Sequence, residues 1–345
     1  MAGVTRRMQP IQKNIEVAIK GRWFTVPALE ISGKNITVKG KFIRIASVDA
    51  EQWLETEIEE PEVCVQILKQ SQFRADVFTF AQKLPATRPK YSYPMEWDSI
   101  AAVHIKTFKE WWEKLPQETR KNVRRAQNRG VLVHVRGLDE DLVRDLHDLN
   151  NDSPIRQGKA FTHYGKTLDQ VRKDQQAFLD RCDYICAYYK NELIGVIKLI
   201  YRGEVASILT FLPKSSHHDK RPANAVMAKA VELCAEQKIS YLTFGMLNYG
   251  NKHHTSLREF KIRNGFEEIL VPHYYVPLTT KGAMSVKLSL HRGLLSVLPH
   301  AVITALVKAR TKLYALKMSR CSSMQERPNS DRQMGRSNPP AGSSC

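Results

Sequence analysis

The sequence predicts an α/β (α+β) fold: a mixed, mostly antiparallel sheet flanked by helices, with an N-terminal α/β region and a C-terminal basic helix. Three observations carry that expectation. Residues 182–277 read as strand, turn, strand, turn, strand, loop, helix, strand, loop, helix, strand, and the short turns Lys190-Asn191-Glu192 and Arg202-Gly203-Glu204 make the first three strands hairpin neighbours. Residues 193–201 are nearly all apolar, which suits a strand covered on both faces. Beyond Lys281 the composition turns basic, with eight Lys or Arg and no acid over residues 281–320.

Taken in order, residues 15–26, 29–36 and 41–48 are expected to be short strands, with Gly21, Gly33 and Gly40 at the turns. Residues 49–62 hold seven acids and no base, the pattern of a solvated helix face or loop. Apolar periodicity predicts a helix over 63–81. Pro85, Pro89 and Pro94 mark 84–95 as a linker or a rigid crossing strand. Thr107 suits the N-cap of a helix that Pro116 interrupts, and a second helix over 117–129 stops at Gly130. Residues 131–135 alternate as a strand. Apolar residues at 138, 142, 146 and 149 predict a helix, and another is expected over 167–182. Strands follow at 184–189, 193–201 and 205–212, then a polar loop. Pro222 suits the first position of a helix over 222–237. A strand at 239–244, a Gly- and Asn-rich loop at 245–254, a helix at 256–264 and a strand at 266–278 complete the series.

Composition bounds the function. The 345 residues suffice for two domains, and 42% hydrophobic content supports a core. The net charge of +18 favours anionic partners: nucleic acid, phosphorylated cofactors or an anionic membrane face. Six cysteines include no C-x2-C pair, so neither a disulfide framework nor a zinc cluster is expected. The basic start Met1–Arg7 precedes no apolar run, and no stretch of eighteen apolar residues occurs. Neither a signal peptide nor a spanning helix is expected, and a cytoplasmic setting follows, with room for contact at the inner face of a membrane. The segments divide as 1–105, an N-terminal α/β region; 106–280; 281–318, a basic amphipathic helical segment; and 319–345, a tail rich in Ser, Pro, Arg and Asn that is expected to be disordered.

The strand and helix order of residues 107–280 resembles the GNAT acyltransferase superfamily. The spacing of Phe260, Lys261, Gly265 and Phe266 after Tyr241-Leu242-Thr243-Phe244-Gly245 is similar to one branch of it, the FemAB-type aminoacyl transferases and CelD-type acetyltransferases. The basic stretch from Glu118 to Ala126, followed by Gly130-Val131, resembles the opening of the same domain. The resemblance implies a sheet splayed to admit a donor, acyl-CoA (acetyl-CoA) or aminoacyl-tRNA, and transfer of its acyl group to an amine of a small-molecule or cell-envelope substrate. For residues 1–105 it implies a degenerate half of the same fold. No metal is implied. A Gly-rich phosphate loop belongs between the third strand of the meander and the next helix; here Ser215, Ser216, His218, Asp219, Lys220, Arg221 and Asn224 occupy that place, without the usual Gly-x-Gly. Backbone N–H groups at the helix start still suit a phosphate. Many members carry a Tyr four residues before the Gly of Gly-Phe; here that residue is Lys261, and Tyr249 is the nearest substitute as acid.

Other candidates come from the residues themselves. His163 has the chemistry of a general base, against the plainer reading of a surface residue or a structural loop anchor. Arg156 can hold a carboxylate or phosphate through two hydrogen bonds, or form an ordinary salt bridge. Gln157, Tyr164 and Asn248 sit in loops where substrate contacts are common. Lys261 belongs either to the cleft or to a solvated face. The doublets His217-His218 and His253-His254 are poor chelators because neighbours on one element point apart. Lys121, Arg125 and Arg129 form a stripe for phosphate or for solvent. Residues 293–318 suit an anionic membrane surface or a helix packed on the domain. A non-catalytic basic adaptor on this fold, binding an anionic membrane surface or nucleic acid through 281–320, is the alternative to an enzyme, and tRNA is a possible partner. Oligomeric state is left open.

Overall fold

The computed structural model describes residues 10–19, 21–49, 54, 56–156, 159–247 and 255–292. Those up to Val286 form one compact unit, and Lys287 onward belongs to a second. The chain runs β1 (Ile11–Ile19), β2 (Arg22–Ile31), β3 (Lys34–Lys39), β4 (Ile45–Val48), α1 (Pro61–Gln70), β5 (Val77–Ala81), β6 (Met95–His104), α2 (Phe108–Lys114), α3 (Gln117–Asn128), β7 (Leu132–Arg136) and α4 (Glu140–Asn150). It continues through β8 (Ile155–Arg156), β9 (Lys159–Ala160), α5 (Leu168–Gln175), β10 (Cys182–Tyr189), β11 (Glu192–Arg202), β12 (Val205–Pro213), α6 (Pro222–Glu236), β13 (Tyr241–Thr243), α7 (Ser256–Arg263), β14 (Glu267–Pro277) and α8 (Thr280–Lys287).

Among the described residues, twelve strands form a single sheet in the order β1-β2-β3-β4-β5-β14-β6-β13-β12-β11-β10-β7. One pattern occurs twice in it. β1 to β4 make an antiparallel meander, and α1 then crosses to β5, parallel to β4. β7, β10, β11 and β12 likewise pair antiparallel in turn, with α4 and α5 inserted between β7 and β10, and α6 crosses to β13, parallel to β12. Parallel neighbours need such a crossover because no tight turn can join them. Each half is completed by a strand of the other: β14 lies between β5 and β6, and β6 lies between β14 and β13. The boundary expected at residue 105 therefore does not interrupt the sheet.

The meander at 182–213 matches expectation, as do the caps. Thr107 accepts the Glu110 N–H at the start of α2, and Gly130 ends α3 with φ of 79°. β11 is buried along eight consecutive residues because α6 covers one face, with Ile194, Ile197 and Leu199, and α4 the other, with Leu193 and Val196. Three expectations are corrected. The helix over 63–81 ends at Gln70, and the alternating Val77-Phe78-Thr79-Phe80 run is a buried strand. The helix over 167–182 ends at Gln175, and Phe178, at φ 61°, turns the chain toward β10. The stretch over 15–26 is broken at Gly21 into the β1–β2 hairpin. Beyond the third proline, Pro94, the chain enters β6, which the sequence did not announce. Residues 293–320 and the 319–345 tail lie outside the described residues.

Candidate functional site

β12 and β13 pair only over Val205–Ser207 and Tyr241–Thr243. Leu209 is then bulged out against β11, where Lys198 pairs with Thr210 and Leu199 with Ile208, and β13 has ended. The two strands part at this point. The opening is a cleft of about 790 Å³ between the start of α6 and α7. Phe211, Phe244, Leu257 and Phe260 give it apolar walls, and Lys214, Ser215, His218, Arg221 and Asn224 line its rim. Phe211 lies 5.3 Å from Phe244 and 5.0 Å from Phe260, centroid to centroid.

In the first turn of helix α6 the Asn224 N–H donates to the Arg221 carbonyl at 3.1 Å. Arg221 stands at the N-cap with φ of 59°, no side chain caps the helix, Pro222 brings no N–H, and no acid sits in the first turn. The positive end of the helix is thus available to an anion. The Nε atoms of Arg221 and Arg156, both lining this cleft, are buried without a hydrogen-bond partner among the described residues. Arg156 otherwise donates to Pro213 O at 2.9 Å and Leu149 O at 3.1 Å, and its guanidinium lies 4.7 Å over the Phe161 ring.

The corresponding place in the N-terminal half has the opposite charge. Glu60 stands at the N-cap position of α1 without a side-chain bond to the helix, Glu62 lies in its first turn, and the adjoining cavity is lined by Glu57, Glu59 and Glu60 with Lys34. Carboxylates there repel what the start of α6 attracts.

The loop that carries the rim, Ser215–Lys220, is held from behind. Asp152 accepts from Ser215 N at 2.8 Å and Ser216 Oγ at 2.9 Å, Arg129 donates to the Asp219 carbonyl, and Lys220 lies 4.8 Å over the Tyr189 ring. Ser215, His218, Arg221 and Asn224 therefore line the cleft, while Ser216, Asp219 and Lys220 secure the loop. Burial pushes the Asp152 carboxyl up, but its hydrogen bonds from Ser215 and Ser216 and the Arg156 charge outweigh this and hold it below the ordinary 3.8. A carboxyl lowered on folding stabilises the protein above its unfolded value and loses that contribution as pH falls through the folded value. Unfolding free energy is accordingly expected to fall below about pH 4. In thermal melts between pH 3 and 7, Asp152→Asn should reduce that acid slope; an unchanged slope would remove Asp152 from this role.

A second cavity, of about 480 Å³, includes His163, Lys166, Asp174, Trp23, Gln175 and Phe178 in its walls. Asp174 is its centre. One carboxylate oxygen accepts from Trp23 Nε1 at 3.1 Å; the other meets His163 Nδ1 at 3.1 Å and the Lys166 ammonium. Burial opposes the Asp174 charge, but these bonds prevail and keep the carboxyl below its usual range. A carboxylate on Nδ1 places the imidazole proton there and leaves a lone pair on Nε2, for which the described residues supply no partner. The bulged Leu209 lines both the cleft and this cavity.

Tyr164 is 46% exposed and lines neither space. Lys261, on α7, is fully buried, and its ammonium donates to the carbonyls of Phe244 and Met246 at 2.5 and 2.7 Å. Burial draws its pKa down to about 8, although those two bonds favour the charged form. It holds the chain beyond β13, and the solvated face considered for it is excluded. Gln157, Asn248, Tyr249 and His253-His254 lie outside the described residues. Of the α3 stripe, Arg125 pairs with Glu118 and Arg129 with the loop, leaving Lys121 exposed. Sequence reasoning missed Asp174, Lys166 and Trp23. Asp174 falls in a stretch read simply as a helix, and Trp23 comes from a hairpin about 150 residues away in the chain. Among the described residues no cluster of three or more His, Cys, Asp or Glu could hold a metal ion, and no helix is long and apolar enough to cross a membrane.

No protein-family model and no curated protein matches the chain. Similar solved structures include FemX (10% identity, 80% of this chain and 90% of that one, TM-score 0.48). L-PGS from Bacillus licheniformis is similar at 14% identity, over 74% and 85% of the two chains, with a TM-score of 0.47. A tandem GNAT protein from the clavulanic acid biosynthesis pathway is similar at 10% identity, over 74% and 83%, with a TM-score of 0.38. Both the GNAT and the Fem names of the sequence resemblance recur among these structures. At such identities and TM-scores the likeness is one of fold, and no residue's role passes from them to this chain.

Proposed function

We propose that the chain is an acyltransferase that moves an acyl group from a phosphate-bearing donor, held in the cleft at the start of α6, to an amine held in the His163 cavity. The observation that carries this is that a basic cleft and a cavity containing a carboxylate-oriented imidazole share the wall residue Leu209, just past the point where β12 and β13 part. Arg221, with the free end of α6, takes a donor phosphate, and Phe211, Phe244 and Phe260 flank the reactive end. The amine nitrogen attacks the acyl carbonyl carbon. A C–N bond forms, the bond from that carbon to the donor sulfur or oxygen breaks, and the amine proton passes to His163 Nε2. The imidazolium returns the proton to the departing thiolate or alkoxide. Asp174 stabilises the charged imidazole, and Trp23 and Lys166 fix Asp174.

Acyl-CoA and aminoacyl-tRNA both offer an activated acyl group beside phosphates. Calorimetric titration with acetyl-CoA, with CoA esters of longer acids, and with aminoacyl-tRNAs distinguishes them. Arg221→Ala should weaken the donor that binds by about tenfold, the size of one charge-assisted hydrogen bond. Binding of neither class would sink the enzyme reading and leave the basic adaptor. Peripheral contact with an anionic membrane fits the exposed Phe42 and Met284 together with Lys281, whose ammonium donates to the Phe42 carbonyl.

A further inference from the structure

A third space, of about 400 Å³, lies beyond the end of β13 and belongs to neither cavity described above. Its apolar lining is Ala81, Leu84, Ile100, Val205, Met246 and Val271. Leu84, Val205 and Val271 form a cluster separate from the one that packs on α6. Where β12 and β13 last pair, Ser207 and Thr243 line the same space, and their hydroxyls bond each other at 2.7 Å.

The polar groups around this pocket are engaged elsewhere. His273 sits between Asp98, at 2.6 Å from Nδ1, and Thr79 Oγ1, at 2.6 Å from Nε2. Gln82 donates to the carbonyls of Ala86 and Arg88 and accepts from Tyr274 Oη and Lys90 N, which fixes the 82–90 loop as a wall. Ser99 bonds Glu268, and Lys83 and Arg202 have partners as well. With these side chains partnered and most of its lining surface apolar, the pocket makes little polar demand of a guest. It selects for hydrocarbon. Its volume is in the range of small-molecule sites.

Its position says which hydrocarbon. Thr243 and Gly245 line this pocket, and Phe244, between them, lines the donor cleft. One chain segment, held by Lys261 through the carbonyls of Phe244 and Met246, is the wall common to both. On the reading that the cleft holds an acyl donor, we propose that this pocket receives the apolar part of the acyl group being transferred. The enzyme then works on donors with a bulky hydrocarbon acyl group and discriminates against acetyl and glycyl donors.

The test uses the full chain, a free probe and two matched donor pairs. The probe is decanoate; the pairs are octanoyl-CoA against acetyl-CoA, and phenylalanyl-tRNA against glycyl-tRNA. Burial of each methylene should tighten binding roughly fourfold. Decanoate is expected to bind one to one, and the apolar member of whichever pair binds should do so at least about tenfold more tightly. Ile100→Trp and Ala81→Phe, which fill the pocket from two different strands, should abolish decanoate binding and the preference while leaving acetyl or glycyl donor affinity unchanged. Thermal melting identifies a variant that fails to fold, and the other then carries the comparison. Donors bound without regard to their acyl group, or a preference that survives a correctly folded filling variant, overturn this assignment and leave the donor cleft standing. Decanoate displaced by the variants while no donor binds overturns the donor reading, and the acyl assignment with it.

Discussion

His163→Ala is expected to lower kcat for acyl transfer by about 10²- to 10⁴-fold, the usual worth of a positioned general base, with donor affinity little changed. The expectation rests on a chain of contacts. Trp23 and Lys166 hold Asp174, Asp174 holds Nδ1 of His163, and Nε2 is left for a proton from the amine. The cleft at the start of α6, proposed for the donor, does not include His163, so the loss should fall on the chemical step. Added imidazole should restore part of the rate to His163→Ala, because it can occupy the space the side chain vacates. Asp174→Asn should also slow the reaction, since an amide can donate to Nδ1 and place the imidazole proton on Nε2, and imidazole should not restore it. A His163→Ala enzyme with wild-type kcat would end the role assigned here.

Lys198→Ala should be among the most destabilising single changes in the described chain, at about 3–5 kcal/mol. The side chain is 1% exposed on the interior strand β11. Its ammonium donates to the carbonyls of Gln175 and Ala177 at 2.7 Å each and lies 5.2 Å over the Tyr184 ring. Truncation opens a cavity in the core, removes the ammonium from the Ala177 carbonyl, and leaves the Gln175 carbonyl with the Tyr184 hydroxyl at 3.3 Å. Lys198→Met retains most of the volume and should cost about 1–3 kcal/mol, the carbonyl part alone. Denaturant unfolding measures both, and equal stability of the two variants would contradict this division. A functional loss should accompany it, because Gln175 and Ala177 line the His163 cavity. Lys198 and Lys261 thus do similar work for two different spaces. Each is a buried ammonium on a pair of carbonyls that shape a wall.

Local signals made much of the fold legible. The meander at 182–213 announces itself through its turns, and Pro222 and Gly130 mark their helix ends. What failed was non-local. β5 carried apolar periodicity that also fits a helix, and β6 followed a proline-rich stretch with nothing nearby to pair with. Its partners, β13 and β14, lie more than a hundred residues on. The site divides in the same way. Ser215, His218, Arg221 and Asn224 could be placed because a loop before a Pro-started helix is a local pattern. Asp174 and Trp23 meet only through the fold. Lys261 sits among polar neighbours in sequence, and nothing in that context shows that it is fully buried.

The exchange of β6 and β14 between the two halves sets a schedule for synthesis. By the time β6 leaves the ribosome the N-terminal half is complete except for the strand that separates β5 from β6, and that strand begins at Glu267, 163 residues after His104. At roughly 5–20 residues per second, the gap stays open for about 8–33 s. Throughout that interval Phe78, Phe80 and the edge of β5 await Tyr274 and Val276. An unpaired, apolar strand edge held open so long is a natural client for a chaperone, and a chain released before β14 would leave both halves unfinished.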